Sequence, residues 1–63
     1  YYNRGNAYAE LGKHKKAIDD FYQAGVLFLE NNDTYHALLC VEAMRPIDQS
    51  SPLIDALLKK INP

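Results

Sequence analysis

Small and aromatic residues alternate at helical spacing through the first 24 residues, and this pattern limits the fold more than any other feature. Its members are Tyr1, Gly5, Tyr8, Gly12, Ala17, Phe21 and Ala24. Most of them stand three or four residues apart, which is the period of one helical face. Glycine tolerates a left-handed backbone, so Gly12 is placed to end one helix before the next begins. The pattern therefore predicts two helices that share a seam of small and aromatic side chains.

The rest of the chain also has helical periodicity, and no segment alternates as a strand does. We predict helices over residues 1–11, 14–30, 34–44 and 52–61, with Ser51 capping the last one and Pro52 in its first turn. Residues 31–33 are expected to end the second helix and cap the third. Pro46 disfavours helical geometry at Arg45, so the third helix is expected to stop there and residues 46–50 to form an irregular loop.

Each predicted helix has an apolar face that indicates what it buries. The expected core positions are Ala17, Ile18, Phe21, Ala24 and Phe28, then Tyr35, Leu38, Leu39 and Ala43, and finally Leu53, Ile54, Leu57, Leu58 and Ile61. Gly25 costs up to about 1 kcal/mol inside a helix, which predicts that another helix approaches closely there. The expected fold is all-α, with four helices in two antiparallel hairpins.

Length and composition exclude several classes of function. A chain of 63 residues is one domain at most, and its start at Tyr1, inside the pattern, indicates a piece of a longer protein. The net charge of −1 gives no attraction to nucleic acid, and no apolar run has the roughly 18 residues of a membrane span. Cys40 is the only cysteine, so no internal disulfide is available, and a reducing, cytoplasmic location is expected.

The stretch YYNRGNAYAELGKHKKAIDDFYQA resembles the tetratricopeptide repeat (TPR), a helix–turn–helix unit of about 34 residues. The resemblance is strong over residues 1–30, although Arg4 replaces the usual leucine. It is weak over residues 31–63, because a shift of about 34 residues places Leu39 opposite Gly5. We interpret this second part as a degenerate repeat or a C-terminal capping hairpin. The resemblance implies a fragment of a right-handed α-solenoid.

The resemblance also implies a function, because TPR arrays bind other proteins and seldom catalyse reactions. Partner contacts would come from the first helix of each hairpin, which lines a concave groove. The implied groove residues are Tyr2, Asn3, Asn6, Ala9 and Glu10, with His36, Ala37, Cys40 and Met44 from the second hairpin. Tyr2 stands where members that clamp a carboxylate have lysine, which argues against that mode of binding. The expected partner is a peptide or helix of another protein.

A structural role is the alternative to a binding groove. The chain would then be a capping or self-association module of a larger protein, with a homodimer as one outcome. The surface for it would be the aliphatic stripe of the fourth helix, formed by Leu53, Leu57, Leu58 and Ile61.

Other chemistry has little support in the sequence. His36 and Cys40 share a helical face, but zinc sites need three or four protein ligands, so we expect no metal and no cofactor. No residue pattern indicates a nucleophile with an orienting partner, and we expect no enzymatic activity. The basic cluster at residues 13–16 is interpreted as a solvated turn, with binding of acidic partners as the alternative. Helices three and four lack the tight turn and the basic residues of a DNA-binding pair.

Overall fold

Four α-helices follow one another in the computed structural model, which describes residues 1–62. They are α1 (Tyr2–Glu10), α2 (His14–Glu30), α3 (Thr34–Asp48) and α4 (Pro52–Ile61). Short turns join them, and each packs against its neighbour in the chain, so consecutive helices form antiparallel hairpins. The predicted all-α fold is confirmed, and residue 63, the last residue of the predicted second hairpin, lies outside the described residues. No helix among residues 1–62 is long and apolar enough to cross a membrane.

The turns between helices use the residues that the sequence indicated. Gly12 has a φ of +78°, the left-handed conformation that suits glycine after a helix. Asn32 takes the same region at φ 61°, and Asp33 then caps α3 by accepting a hydrogen bond from the His36 amide at 3.2 Å. Ser51 caps α4 in the same way, accepting from the Leu53 amide at 3.3 Å.

Helix α3 continues past its proline, and the prediction that it ends at residue 44 is wrong. Pro46 lies inside the helix, which runs on to Asp48. The proline has no amide hydrogen to give to the carbonyl four residues earlier, at Glu42, so one helical hydrogen bond is lost. The extension packs Ile47 against the core next to the fully buried Met44, and this contact offsets the loss. Residues 46–50 are therefore mostly helix rather than an irregular loop.

Helix α3 also buries a different face from the predicted one. Tyr35 is 69% exposed, and Leu38 and Leu39 are 42% and 38% exposed, so their assignment to the core is wrong. The buried face consists of Ala37, Cys40, Val41 and Met44, and Ala43 is half-buried beside it. These buried side chains are small or flexible, which allows a close approach of α3 to α2. Residues 37–44 of α3 are apolar except for Glu42, so the sequence alone does not show which face of the helix packs against its neighbours.

Helix α2 lies at the centre, since it packs against all three other helices. Phe21 is 1% exposed, and a Cβ atom placed at Gly5 would lie 3.0 Å from its ring. Leu57 is completely buried where α4 passes Gly25. The glycine inside α2 thus marks the predicted close approach of two helices. Around this centre the predicted core residues Ala17, Ile18, Ala24, Ile54 and Leu57 are all buried.

Candidate peptide-binding face

Three polar side chains stand together on the solvent side of α1. Asn3, Asn6 and Glu10 are exposed, and helical geometry places them within an arc of about 60°. Gly5, the buried residue of this helix, lies on the opposite side. None of the three makes a side-chain hydrogen bond to another residue of the described chain. Their amide and carboxylate groups are therefore available to a ligand; we refer to them as the α1 face.

Tyr2 borders the α1 face and is tied to the core. Its ring meets that of Phe21 edge-on, with 5.4 Å between the centroids and 67° between the planes. The side chain is half-buried, and so is Ala9 two turns further along the same face of the helix. Edge-to-face aromatic packing is favourable, which keeps the Tyr2 ring in place. Tyr2 thus offers a rigid apolar edge beside the asparagines.

His36 lies on α3 and is held by three neighbours. Its Nδ1 atom is 2.6 Å from Oδ2 of Asp33, and its ring stacks on Phe28 with the centroids 5.1 Å apart. The Tyr35 ring meets it edge-on at 5.3 Å. The His36 side chain remains 50% exposed, so a partner can still reach it. The structure therefore keeps His36 as an accessible, oriented group on a second helix.

Cys40 is one of three implied groove residues that the structure places in the core, which contradicts their predicted role. Its side chain is completely buried, and burial raises the pKa of the thiol to about 11. Ala37 and Met44 are also fully buried, so none of these three can touch a partner in the folded chain. The cause is the orientation of α3 described above. Among residues 1–62 there is no group of three or more His, Cys, Asp or Glu side chains that could hold a metal ion.

The aliphatic stripe of α4 packs against the rest of the chain instead of forming an exposed surface for self-association. Leu57 is completely buried, which contradicts its predicted role in a dimer interface. Leu53, Leu58 and Ile61 are half-buried and pack against the core cluster. Most of this stripe therefore packs inside the chain, and only parts of Leu53, Leu58 and Ile61 reach the surface.

Arg4 forms an ion pair that sequence reasoning missed. Its Nε and a terminal nitrogen donate to the two carboxylate oxygens of Asp20 at 2.7 and 2.9 Å, and the guanidinium also lies 5.1 Å from the Tyr1 ring centroid. The Asp20 side chain is 8% exposed, and Arg4 holds the pKa of that carboxyl below its usual range. The sequence held part of the signal, because an arginine stands at Arg4 where the repeat pattern has an apolar residue. Which acidic residue it meets depends on how the two helices align.

The basic cluster at residues 13–16 borders a shallow cleft. Lys16 lies over the Tyr8 ring at 5.6 Å, and Asp20, four residues further along the same helix, pairs with Arg4. The cleft measures about 440 Å³ and lies where the starts of α2 and α4 meet the end of α3. Its lining residues are His14, Lys15, Ile18, Asp19, Asp48, Ser51, Pro52 and Leu53. Charges of both signs line it, so it has no clear preference for an anion or a cation.

Comparison with known proteins supports the resemblance in the first hairpin. The family model of the tetratricopeptide repeat matches residues 1–24. The repeat predicted from the sequence is thus confirmed over this part of the chain. No curated protein and no solved structure matches the chain. A TPR match indicates a protein-interaction module in general terms.

Proposed function

We propose that this chain binds an extended segment of a partner protein through the α1 face, with Tyr2 and His36 beside it. The observation that carries the proposal is the grouping of Asn3, Asn6 and Glu10, exposed and without internal hydrogen bonds in the described chain. An asparagine side chain both donates and accepts, so it can satisfy the amide and carbonyl of a peptide backbone. The family match over this helix supports the same use of the surface.

The electrostatics of the α1 face favour one kind of ligand. Arg4 is the basic residue of α1, and Asp20 holds its guanidinium with two hydrogen bonds. Glu10 therefore gives the face a negative character at the C-terminal end of α1, where the helix dipole adds to it. A peptide with a lysine or arginine near Glu10 fits better than one that ends in a carboxylate. We propose a basic, extended peptide as the ligand class.

The second hairpin would then serve as support for the first. Helices α3 and α4 cover the side of α2 that α1 leaves open, and their match to the repeat pattern is poor. We propose a degenerate repeat with a capping role for residues 31–63, in a cytoplasmic protein without catalytic activity of its own.

Peptide selection followed by substitution tests this proposal. Random 12-residue peptides displayed on phage are selected on the 63-residue chain, and the best sequence is synthesised with a fluorescent label for anisotropy. Asn6→Ala should weaken binding about tenfold, the loss expected when a buried backbone group loses its partner. Glu10→Gln should weaken selected peptides that carry lysine or arginine.

Gln23→Ala is the matched control, because Gln23 is an exposed amide on α2, away from the α1 face. The affinity of the Gln23→Ala protein for the peptide should equal that of the unmodified chain. Equal affinities of Asn6→Ala and the unmodified chain, with both proteins folded by circular dichroism, would contradict the proposal.

A further inference from the structure

Helix α3 carries an exposed apolar stripe on the side opposite its buried face. Tyr35, Leu38 and Leu39 are 69%, 42% and 38% exposed, and Glu42 and Pro46 continue the same side of the helix. We call these five residues the outer stripe. Three large apolar side chains in adjacent turns form a contiguous patch, and the largest apolar patch on a small protein is often functional.

When two copies of the outer stripe run in opposite directions, the side chains of one copy match those of the other. If two copies of α3 lie antiparallel with a two-fold axis between Leu38 and Leu39, each Leu38 faces Leu39 of the second copy. The same register places the Tyr35 hydroxyl opposite the Glu42 carboxylate of the second copy, and this happens twice. We propose that the outer stripe pairs with the outer stripe of a second copy of this chain in this antiparallel register.

The charges around the stripe agree with that register. Glu42 contacts Arg45 of its own helix through one carboxylate oxygen, Oε1, at 3.5 Å, which leaves Oε2 to accept the hydroxyl of Tyr35. Glu42 is exposed, so the pair costs little desolvation at the rim of the interface. Glu42 is the only charged residue of the outer stripe, and in this register it faces Tyr35 rather than Glu42 of the second copy.

The size of the exposed patch determines how strong a dimer we expect. The three apolar side chains expose on the order of 300 Å² per copy, well below the roughly 800 Å² per partner of a standard interface. The dimer is accordingly weak, with a dissociation constant on the order of 0.1 mM. The outer stripe shares no residue with the α1 face, although Tyr35 contacts His36 beside that face. Different substitutions, Leu39→Glu and Asn6→Ala, therefore test the two proposals separately.

Sedimentation equilibrium of the 63-residue chain over a wide concentration range tests the pairing. The mass should rise from the 7.2 kDa of one copy toward twice that value as concentration passes about 0.1 mM. Leu39→Glu should raise the dissociation constant at least about tenfold, because a charge enters the apolar centre in both copies. Leu11→Glu is the control: Leu11 is 69% exposed but lies outside the stripe, so dimerisation should persist.

Cross-linking tests the register itself. Tyr35→Cys and Glu42→Cys chains, mixed and mildly oxidised, should form a mixed disulfide dimer, because these positions face each other. Tyr35→Cys alone should cross-link poorly, since its two copies are offset by about 10 Å along the helix. A constant monomer mass for the unmodified chain up to millimolar concentration, or an unchanged dimer in Leu39→Glu, would overturn the proposal. A dimer that cross-links equally well through Tyr35→Cys alone would overturn the register.

Discussion

A Cβ atom placed at Gly25 would lie 2.5 Å from Cδ2 of Leu57 and 3.0 Å from its Cδ1. Carbon atoms in contact normally stay about 3.5–4.0 Å apart, so no larger residue fits here without movement. Leu57 is completely buried at this point and has little room to shift. The missing side chain at Gly25 is thus what allows α4 to lie against α2.

Gly25→Ala should lower the free energy of unfolding by about 1 kcal/mol, because overpacking outweighs the gain in helix propensity. In a Leu57→Val background, which removes part of the obstructing side chain, the same substitution should cost less or become stabilising. Urea denaturation followed by circular dichroism measures both values.

Gly12→Ala is the control for the comparison of Gly25→Ala in the two backgrounds. Nothing lies within 4 Å of a Cβ at Gly12, and its cost comes from the positive φ of +78°. It should be equally destabilising with leucine or valine at position 57. An identical cost of Gly25→Ala in the two backgrounds would show that the contact with Leu57 is not the cause.

The Arg4–Asp20 pair should make stability depend on pH in the acid range. The pKa of Asp20 is lowered from its ordinary value of 3.8, so its contribution is full above that pH and is lost as pH falls through the lower folded value. When the pH is lowered below about 4, the thermal midpoint should fall by more in the unmodified chain than in Asp20→Asn. Asp19→Asn, an exposed neighbour outside the pair, should retain the drop. Parallel curves for the unmodified chain and Asp20→Asn would argue against the ion pair.

The Cys40 thiol should be inert in the folded chain. Burial raises its pKa from 9.0 to about 11, so the reactive thiolate is scarce at neutral pH and the sulfur is inaccessible. Reaction with Ellman's reagent should be slow without urea and rapid with it. The stability that this thiol contributes is full below pH 9.0 and is lost as pH rises toward about 11. Tyr35→Cys, exposed on the same helix, should react at once; an equally fast reaction of Cys40 would contradict its burial.

Pro46→Ala should stabilise the chain by about 1 kcal/mol, because it restores the amide that can bond to the Glu42 carbonyl near the end of α3. For a domain of this size the thermal midpoint should rise by about 4–8 °C. Pro52→Ala is the matched control, since proline suits the first turn of a helix and its loss should bring no gain. A lower midpoint for Pro46→Ala would mean that the proline is favourable where it stands.

The sequence predicted helices α1, α2 and α4 well because local signals mark their ends. Gly12, Asp33 and Ser51 occupy the cap or turn positions that their chemistry favours, and Pro52 begins α4. These effects involve neighbours in the chain and need no tertiary information. The close approach at Gly25 was also foreseeable, because a costly residue inside a helix needs a packing reason.

Helix α3 shows where local reasoning fails. Its sequence from Ala37 to Met44 is apolar except for Glu42, so two faces were candidates for burial. The packing of α2 and α4 selects the face with Ala37 and Cys40, and this removed Cys40 from the candidate site. Burial of Ile47 likewise extended the helix past Pro46, although the local geometry of proline opposed it.

One part of the candidate site could be predicted from the sequence, and another part could not. Exposure of Asn3, Asn6 and Glu10 follows from the helical period around Gly5, which the sequence shows directly. The ion pair between Arg4 and Asp20 depends on how two helices align, and only the assembled hairpin brings these residues together.

The most direct test of peptide binding is a nitrogen-15 NMR titration of the 63-residue chain with the selected peptide. The proposed function predicts that shift changes concentrate on α1, around Asn3, Asn6 and Glu10, and extend to His36 at the start of α3. Changes confined to α4, to the outer stripe of α3 or to the cleft near Lys15 would contradict it and place the binding surface elsewhere.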